Sequence, residues 1–76
     1  MKEIINGKLY DTEKSEKICN VKFTGHSIWR TQKGTLFLLN DICMQISNVH
    51  QETIKDLLGK ENPQKYIELY GEIEEA

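Results

Sequence analysis

Two cysteines and two histidines repeat one spacing along this 76-residue chain. Cys19 precedes His26 by seven positions, and Cys43 precedes His50 by the same interval. Two thiolates and two imidazoles can complete a tetrahedral zinc site, but structural sites usually take their cysteines from a tight C-x₂₋₄-C pair. Both cysteines lie in apolar stretches, where a free thiol behaves as a small buried hydrophobe. We therefore predict two buried thiols, two surface imidazoles, no metal and no cofactor.

The residue pattern offers little to a catalytic mechanism. A nucleophile or general base needs a partner that orients it, and the two histidines are expected in a turn and in the first turn of a helix. The sequence contains no G-x-S-x-G elbow, and its glycines stand singly rather than in a phosphate-binding loop. The prediction is a protein that is not an enzyme.

Basic and aromatic residues on neighbouring segments suggest a surface for nucleic acid. Lys22, Trp29, Arg30 and Lys33 are the residue types that form stacking platforms for bases. However, the net charge is −2 and the isoelectric point about 5.6, whereas nucleic-acid binders usually carry a basic excess. Nucleic-acid binding through Lys22, Arg30 and Lys33 is therefore the alternative hypothesis, and Trp29 is expected to fill the core.

The charge is distributed asymmetrically along the chain. Residues 1–38 carry seven basic and four acidic side chains, a balance of +3, whereas residues 39–76 carry three basic and eight acidic ones, a balance of −5. An acidic surface can mimic phosphates and steer association with a basic partner. The candidate partner-binding residues are acidic, and they are Glu61, Glu68, Glu72, Glu74 and Glu75.

The first half of the chain is predicted to form strands. Asn6-Gly7 separates two apolar pairs and is a strong hairpin signal, because both positions accept a positive φ. Residues 18–23 alternate apolar and polar side chains, which predicts a half-buried strand with Cys19, Val21 and Phe23 on the covered side.

The next two strands are predicted at residues 28–31 and 35–39, joined by a turn at Lys33-Gly34. The second of them is a continuous apolar run, which indicates burial on both faces. Because neighbouring side chains on a strand point to opposite faces, Trp29 and Arg30 cannot form one patch. We expect Trp29 to point inward and Arg30 outward.

The second half of the chain is predicted to form two helices. Asn48 with Gln51 resembles a capping box, and Gly59 is placed to end the first helix. Asn62-Pro63 opens the second helix, which Gly71 can end or weaken. Its apolar face is predicted to comprise Tyr66, Leu69, Tyr70 and Ile73.

Length and composition favour one small α+β domain, residues 1–76, in which a three- to four-stranded antiparallel meander precedes two short helices packed on one face. No apolar run approaches the ~20 residues of a membrane span, and the polar start does not resemble a signal peptide. We therefore expect a complete cytoplasmic protein with no membrane contact.

Three segments carry a resemblance to a known group of proteins. They are Tyr10–Glu13 (YDTE), Trp29–Leu38 (WRTQKGTLFL) and Lys65–Glu75 (KYIELYGEIEE). Together they resemble a family of short, mostly uncharacterised bacterial and phage proteins with the pattern YDT…(Y/W)RTxxGxxFL…Y…GxxEE. Trp29 stands where that family more often has tyrosine, and the loop after Leu39 is shorter than in its longer members. The resemblance implies an accessory protein of phages or mobile elements, similar in kind to anti-CRISPR and anti-restriction inhibitors.

The leading hypothesis is therefore a non-enzymatic protein-binding module that inhibits a host defence system through its acidic surface. The expected partner is a host protein. Two alternatives are a small nucleic-acid-binding regulator that uses the basic strand face and a self-associating module that forms a homodimer, since a fold this small gains stability by pairing.

Overall fold

The computed structural model describes residues 1–71 and Glu75. In chain order its elements are β1 (Lys2–Ile5), β2 (Lys8–Asp11), a 3₁₀ turn (Thr12–Lys14), β3 (Glu16–Val21), β4 (His26–Arg30), β5 (Leu36–Asn40), β6 (Gln45–Asn48), α1 (Gln51–Glu61) and α2 (Pro63–Tyr70). Strands β3 to β6 form an antiparallel meander in chain order, and β1 pairs with β2 in a separate hairpin. The predicted α+β class, with an antiparallel sheet before two C-terminal helices, is confirmed.

One face of the meander packs against the helices. Ile28 and Leu36 from the sheet are fully buried together with Ile54 and Leu58 from α1. Ile18 and Val21 of β3 complete this core. Each such aliphatic side chain contributes about 1.5–3 kcal/mol through removal from water, so this layer holds most of the apolar driving force.

The opposite face of the same sheet is covered as well. Phe37 and Leu39 of β5 are buried but point away from the helices, because side chains alternate along a strand. The Tyr10 ring of β2 meets the Phe37 ring edge-on at 5.4 Å, and the Trp29 ring stacks on Phe37 at 6.2 Å. The hairpin therefore forms a third layer, and the prediction that β5 is buried on both faces is confirmed.

The hairpin forms as the Asn6-Gly7 signal predicts. Both turn residues have left-handed backbone, with φ of 53° and 74°. A two-stranded hairpin is marginal alone, so its position depends on contacts with the meander. Besides the Tyr10–Phe37 contact, the Glu3 Oε2 atom accepts a hydrogen bond of 3.2 Å from the Ile46 backbone N–H in edge strand β6.

A single side chain ties α1 to the central strand. The Gln51 Oε1 atom accepts from the Leu36 backbone N–H at 2.8 Å, and its Nε2 atom donates to the Leu36 carbonyl at 2.8 Å. The same Nε2 atom also donates to the Val49 carbonyl at 2.9 Å. Because the pairing of β6 with β5 ends at Leu38 and Asn48, the Gln51 amide takes the place of a neighbouring strand at Leu36.

This use of Gln51 corrects the prediction that Asn48 and Gln51 form a capping box. Residues 45–48 form strand β6, and the N-cap of α1 is His50, whose side chain accepts from the Thr53 N–H. The sequence pattern places the start of the helical segment too early, because Ile46 fits either the apolar face of a helix or the alternation of a strand.

The predicted end of α1 at Gly59 is also wrong. The helix continues to Glu61, and a Cβ at Gly59 would lie at an ordinary contact distance of 3.7 Å from the Tyr66 ring, so the packing of α2 does not require glycine here. Asn62 caps α2 with Pro63 in its first turn, as predicted, and Gly71 ends it. Ile73 lies outside the described residues. Neither of the two described helices combines the length and the apolarity needed to cross a membrane.

Two side-chain predictions in the sheet need correction. Strand β3 ends at Val21, so Phe23 is not on its covered side but in the following turn. Trp29 and Arg30 do point to opposite faces, but both are half-buried, and the Nε atom of Arg30 is enclosed rather than solvated. Arg30 cannot extend freely because its guanidinium lies against Gly34, 3.3 Å from where a Cβ would be.

We predict that Gln51→Ala lowers the free energy of unfolding by about 2–4 kcal/mol, because it leaves the N–H and carbonyl of buried Leu36 without these partners. Urea unfolding followed by circular dichroism measures this loss. Gln64→Ala, the same change at an exposed position of α2, is the matched control and should alter stability by less than about 0.5 kcal/mol. Equal effects of the two substitutions would show that the Leu36 bonds do not stabilise the fold.

Candidate functional site

The acidic residues proposed to bind a partner lie in different surroundings. Glu61 ends α1, and its Oε1 atom accepts a hydrogen bond of 3.1 Å from the Lys22 backbone N–H. Glu68 in α2 forms an ion pair with Lys65, at 3.3 Å between Oε2 and Nζ. Glu75 is exposed, whereas Glu72 and Glu74 lie outside the described residues. Glu61 and Glu68 belong to different helices, and both carboxylates already have partners.

The basic residues of the alternative hypothesis lie at opposite ends of the sheet. Lys22 follows β3 in the β3–β4 turn, whereas Arg30 is the last residue of β4 and Lys33 lies in the β4–β5 turn. The length of β4, roughly 13 Å at 3.3 Å per residue, separates Lys22 from the other two. The structure therefore places Lys22 apart from Arg30 and Lys33.

The two cysteines have different environments. Cys19 packs half-buried against the helix-side core, so the prediction of a buried thiol is close to the structure there. Burial raises the pKa of the Cys19 thiol, and the nearby negative Glu61 raises it further, while Lys17 acts in the opposite direction. Cys43 lies exposed in the β5–β6 turn, so the prediction of burial is wrong for this residue.

The two histidines make local hydrogen bonds. The ring nitrogens of His26 lie 3.0 Å from the Thr24 carbonyl and 3.0 Å from the Ser47 hydroxyl, and this second contact connects β4 to β6. His50 caps α1, and its Nδ1 atom lies 2.8 Å from the Thr53 hydroxyl. Across residues 1–71 and Glu75, no three histidine, cysteine or carboxylate side chains gather as a metal site requires.

Large apolar side chains cluster instead at one end of the sheet. The β3–β4 turn carries Phe23 and the β5–β6 turn carries Ile42 and Met44, and their exposed fractions are 105%, 84% and 48%. The two turns lie side by side because the Asp41 N–H donates to the Gly25 carbonyl at 2.8 Å. We call Phe23, Ile42 and Met44 the apolar tip.

Backbone strain coincides with this exposure. Phe23 and Met44 have φ of 66° and 55°, in the left-handed region that disfavours bulky side chains. A non-glycine residue held there costs on the order of 1–3 kcal/mol, and such residues concentrate at functional sites. Glycine or asparagine would stabilise the fold more at these two positions. The apolar side chains of Phe23 and Met44 are therefore not explained by backbone stability.

The tip is held rigidly by hydrogen bonds within its turns. The Thr24 hydroxyl donates to the Val21 carbonyl at 3.2 Å, and the Asn40 Oδ1 atom accepts from the Ile42 N–H at 3.0 Å. Gly25, with φ of 71°, allows the Ile42 side chain to lie across the neighbouring turn, because a Cβ there would be 3.1 Å from its Cδ1 atom. The apolar side chains therefore project from a fixed backbone.

A series of hydrogen bonds between polar side chains positions the β5–β6 turn of the apolar tip. The Trp29 Nε1 atom donates to the Ser27 hydroxyl at 2.8 Å, and that hydroxyl donates to the Asp41 carboxylate at 2.6 Å. Ser27 is fully buried, so both of its hydrogen bonds are shielded from water. Trp29 therefore contributes to the position of the β5–β6 turn rather than to a stacking surface for bases.

Sequence reasoning missed the apolar tip because it continued β3 through Phe23 and read the segment of β6 as the approach to a helix. Thr24-Gly25 directly after Phe23 is a turn signal, and Asn40-Asp41 directly after an apolar run is another. Ending the two strands at these signals would have placed Phe23 and Ile42 in turns.

Comparison with known protein families, with curated protein sequences and with solved structures found no match to this chain. The resemblance to short phage and bacterial proteins therefore stays a prediction.

We predict that Cys43 reacts with a disulfide reagent such as DTNB at least about tenfold faster than Cys19 at neutral pH, because Cys43 is exposed and Cys19 is half-buried with its pKa raised. Cys43→Ser should remove the fast phase, and Cys19→Ala should leave it intact. The rate of the slow phase should rise about tenfold per pH unit with the thiolate fraction and level off only above the raised pKa of Cys19. Equal rates for the two thiols would contradict the assigned environments.

Proposed function

We propose that the protein is a non-enzymatic binding module that inserts its apolar tip into an apolar pocket on a larger protein. The observation that carries this proposal is Phe23, an aromatic ring exposed in full on a strained left-handed backbone. An exposed apolar cluster of this kind is typical of an interaction site rather than of a solvated turn.

A pocket on a protein suits the apolar tip better than a lipid surface does. Aromatic anchors near the centre of an interface supply most of the binding energy, and a rigid anchor loses little conformational entropy on docking. The paired turns supply that rigidity for Phe23 and Ile42 through the bonds of Thr24, Gly25 and Asn40.

The surroundings of the tip provide a polar rim. Lys22 adjoins Phe23 and is exposed, and Glu61 lies beneath Lys22 through its bond to the backbone N–H. Rim charges affect the association rate and its salt dependence more than the final affinity. In this proposal the acidic balance of residues 39–76 steers the chain toward a basic surface that surrounds the pocket of the partner.

The class of partner is a separate inference. A host defence protein is the expectation from the resemblance to phage proteins, and inhibition of it is part of our proposal. Docking on a nucleic acid, on a lipid surface or on a second copy of the chain are outcomes that the experiments below distinguish.

We predict that Phe23→Asn raises the free energy of unfolding by about 1 kcal/mol, because asparagine tolerates φ of 66° better than phenylalanine and Phe23 buries no area in the fold. The measurement is urea unfolding. Ile4→Thr, at another exposed apolar position with extended backbone in β1, is the control and should change stability little. A loss of stability in Phe23→Asn would mean that the ring supports the fold.

We further predict that a partner captured from a bacterial lysate by the immobilised wild-type chain is also captured by Ile4→Thr and lost at least about tenfold with Phe23→Asn, since truncation of a central anchor costs 2 kcal/mol or more. The captured protein is identified by mass spectrometry and its affinity measured with purified components. Light scattering and vesicle sedimentation of the wild type test self-association and lipid binding. A partner retained equally by Phe23→Asn, or a Phe23-dependent dimer or vesicle complex in its place, would contradict the proposal.

A further inference from the structure

A basic cleft lies at the end of the sheet opposite to the apolar tip. It has a volume of about 440 Å³ and lies between the β1–β2 hairpin with its 3₁₀ turn and the β4–β5 turn. Its size falls within the range of about 300–1,000 Å³ typical of small-molecule sites. Three lysines from three different segments line it, and they are Lys8, Lys14 and Lys33.

These lysines converge without carboxylate partners. All three side chains are exposed, and the described residues give none of them an ion pair. Lys8 belongs to β2, Lys14 to the 3₁₀ turn and Lys33 to the β4–β5 turn, so only the tertiary fold brings them to one cleft. Three cations around one concave surface attract an anion and favour its binding.

A buried carboxylate lies in the wall of the same cleft. Asp11 is 3% exposed and caps the 3₁₀ turn through Oδ1, which accepts from the Glu13 N–H at 3.0 Å. Its other oxygen, Oδ2, accepts no hydrogen bond from any described residue. An enclosed carboxylate oxygen without a donor costs the fold stability, and a ligand that brings an N–H group to Oδ2 removes that cost.

A buried donor lies in the continuation of the cleft. A second cavity of about 400 Å³ shares Lys14, Ser15, Thr31 and Gln32 with the first, and Glu13, Glu16 and Arg30 line the rest of it. The Arg30 Nε–H is enclosed and donates to no described residue. Because two carboxylates line the part that Arg30 reaches, an anion is expected in the lysine cleft and not in this second cavity.

We propose that this cleft binds a nucleotide, with its phosphate among Lys8, Lys14 and Lys33 and with an N–H donor of its base directed to Asp11 Oδ2. A bare anion would leave Oδ2 unpaired and be repelled by the carboxylate, whereas a cationic ligand would be repelled by the lysines. Carboxylates accept hydrogen bonds from base amino groups, and arginine and lysine bind phosphate. The half-exposed Leu9 side chain offers an apolar edge for the base.

Free nucleotides and single-stranded nucleic acids present the same base and phosphate chemistry. The site is independent of the proposed protein contact, because the apolar tip lies at the other end of β4 and β5. Different variants therefore test the two sites, and either proposal can be disproved without the other.

The test is a titration of the full ¹⁵N-labelled chain, followed by amide chemical shifts, with inorganic phosphate, the ribonucleoside 5′-monophosphates and a short single-stranded oligoribonucleotide. Shift changes are expected at residues 7–15 and 31–35. Asp11→Asn keeps a good N-cap but replaces the Oδ2 acceptor with a donor. This variant should bind the preferred nucleotide about tenfold more weakly and inorganic phosphate as well as the wild type or better.

Lys33→Gln, in an exposed turn, should weaken the binding of both nucleotide and phosphate, and Lys22→Gln at the far end of the sheet should weaken neither. An oligoribonucleotide that binds more tightly than the mononucleotides identifies a nucleic-acid strand as the source of the nucleotide, and the reverse order identifies the free nucleotide. The absence of nucleotide-induced shifts at the cleft would overturn the proposal. Unchanged nucleotide affinity in Asp11→Asn would also overturn it, as would phosphate binding as tight as nucleotide binding.

Discussion

Strand β5 is buried on both faces, and this burial explains the layers of the fold. Leu36 through Leu39 are consecutive apolar residues, so both faces of this strand must be kept from water. The helices cover one face, the β1–β2 hairpin covers the other, and Tyr10 meets Phe37 at the centre of the second interface. The Gln51 amide completes the backbone pairing of Leu36 where β6 no longer accompanies β5. The three-layer arrangement and the attachment of α1 follow from this one strand.

Covering both faces of the sheet leaves its two ends for interactions with other molecules. At one end the β3–β4 and β5–β6 turns meet and expose apolar side chains on strained backbone, which is the basis for the proposed protein contact. At the other end the hairpin, the 3₁₀ turn and the β4–β5 turn form a cleft with lysines and an unpaired buried carboxylate oxygen. The two ends therefore differ in chemistry.

Particular residues show where pattern reading succeeded and where it failed. The Asn6-Gly7 hairpin, the doubly buried β5 and the Asn62-Pro63 helix start were predicted, because each depends on local conformational preference or on an unbroken apolar run. Phe23 was misplaced because alternation continues two residues past the true end of β3, and nothing in hydrophobicity marks a ring that faces solvent. Cys43 was misplaced for the same reason, since its apolar neighbours Ile42 and Met44 are themselves exposed.

The α+β class, the order of strands before helices and the identity of the central strand can be predicted from periodicity, caps and the burial of apolar runs. The grouping of side chains on the surface depends on packing and could not be predicted in this way. Phe23 and Ile42 are distant in sequence but lie in neighbouring turns, because antiparallel pairing returns both turns to one end of the sheet. Lys8, Lys14 and Lys33 share a cleft because the hairpin folds back over that sheet. Packing brings side chains from separate segments together, so no local sequence pattern predicts their positions.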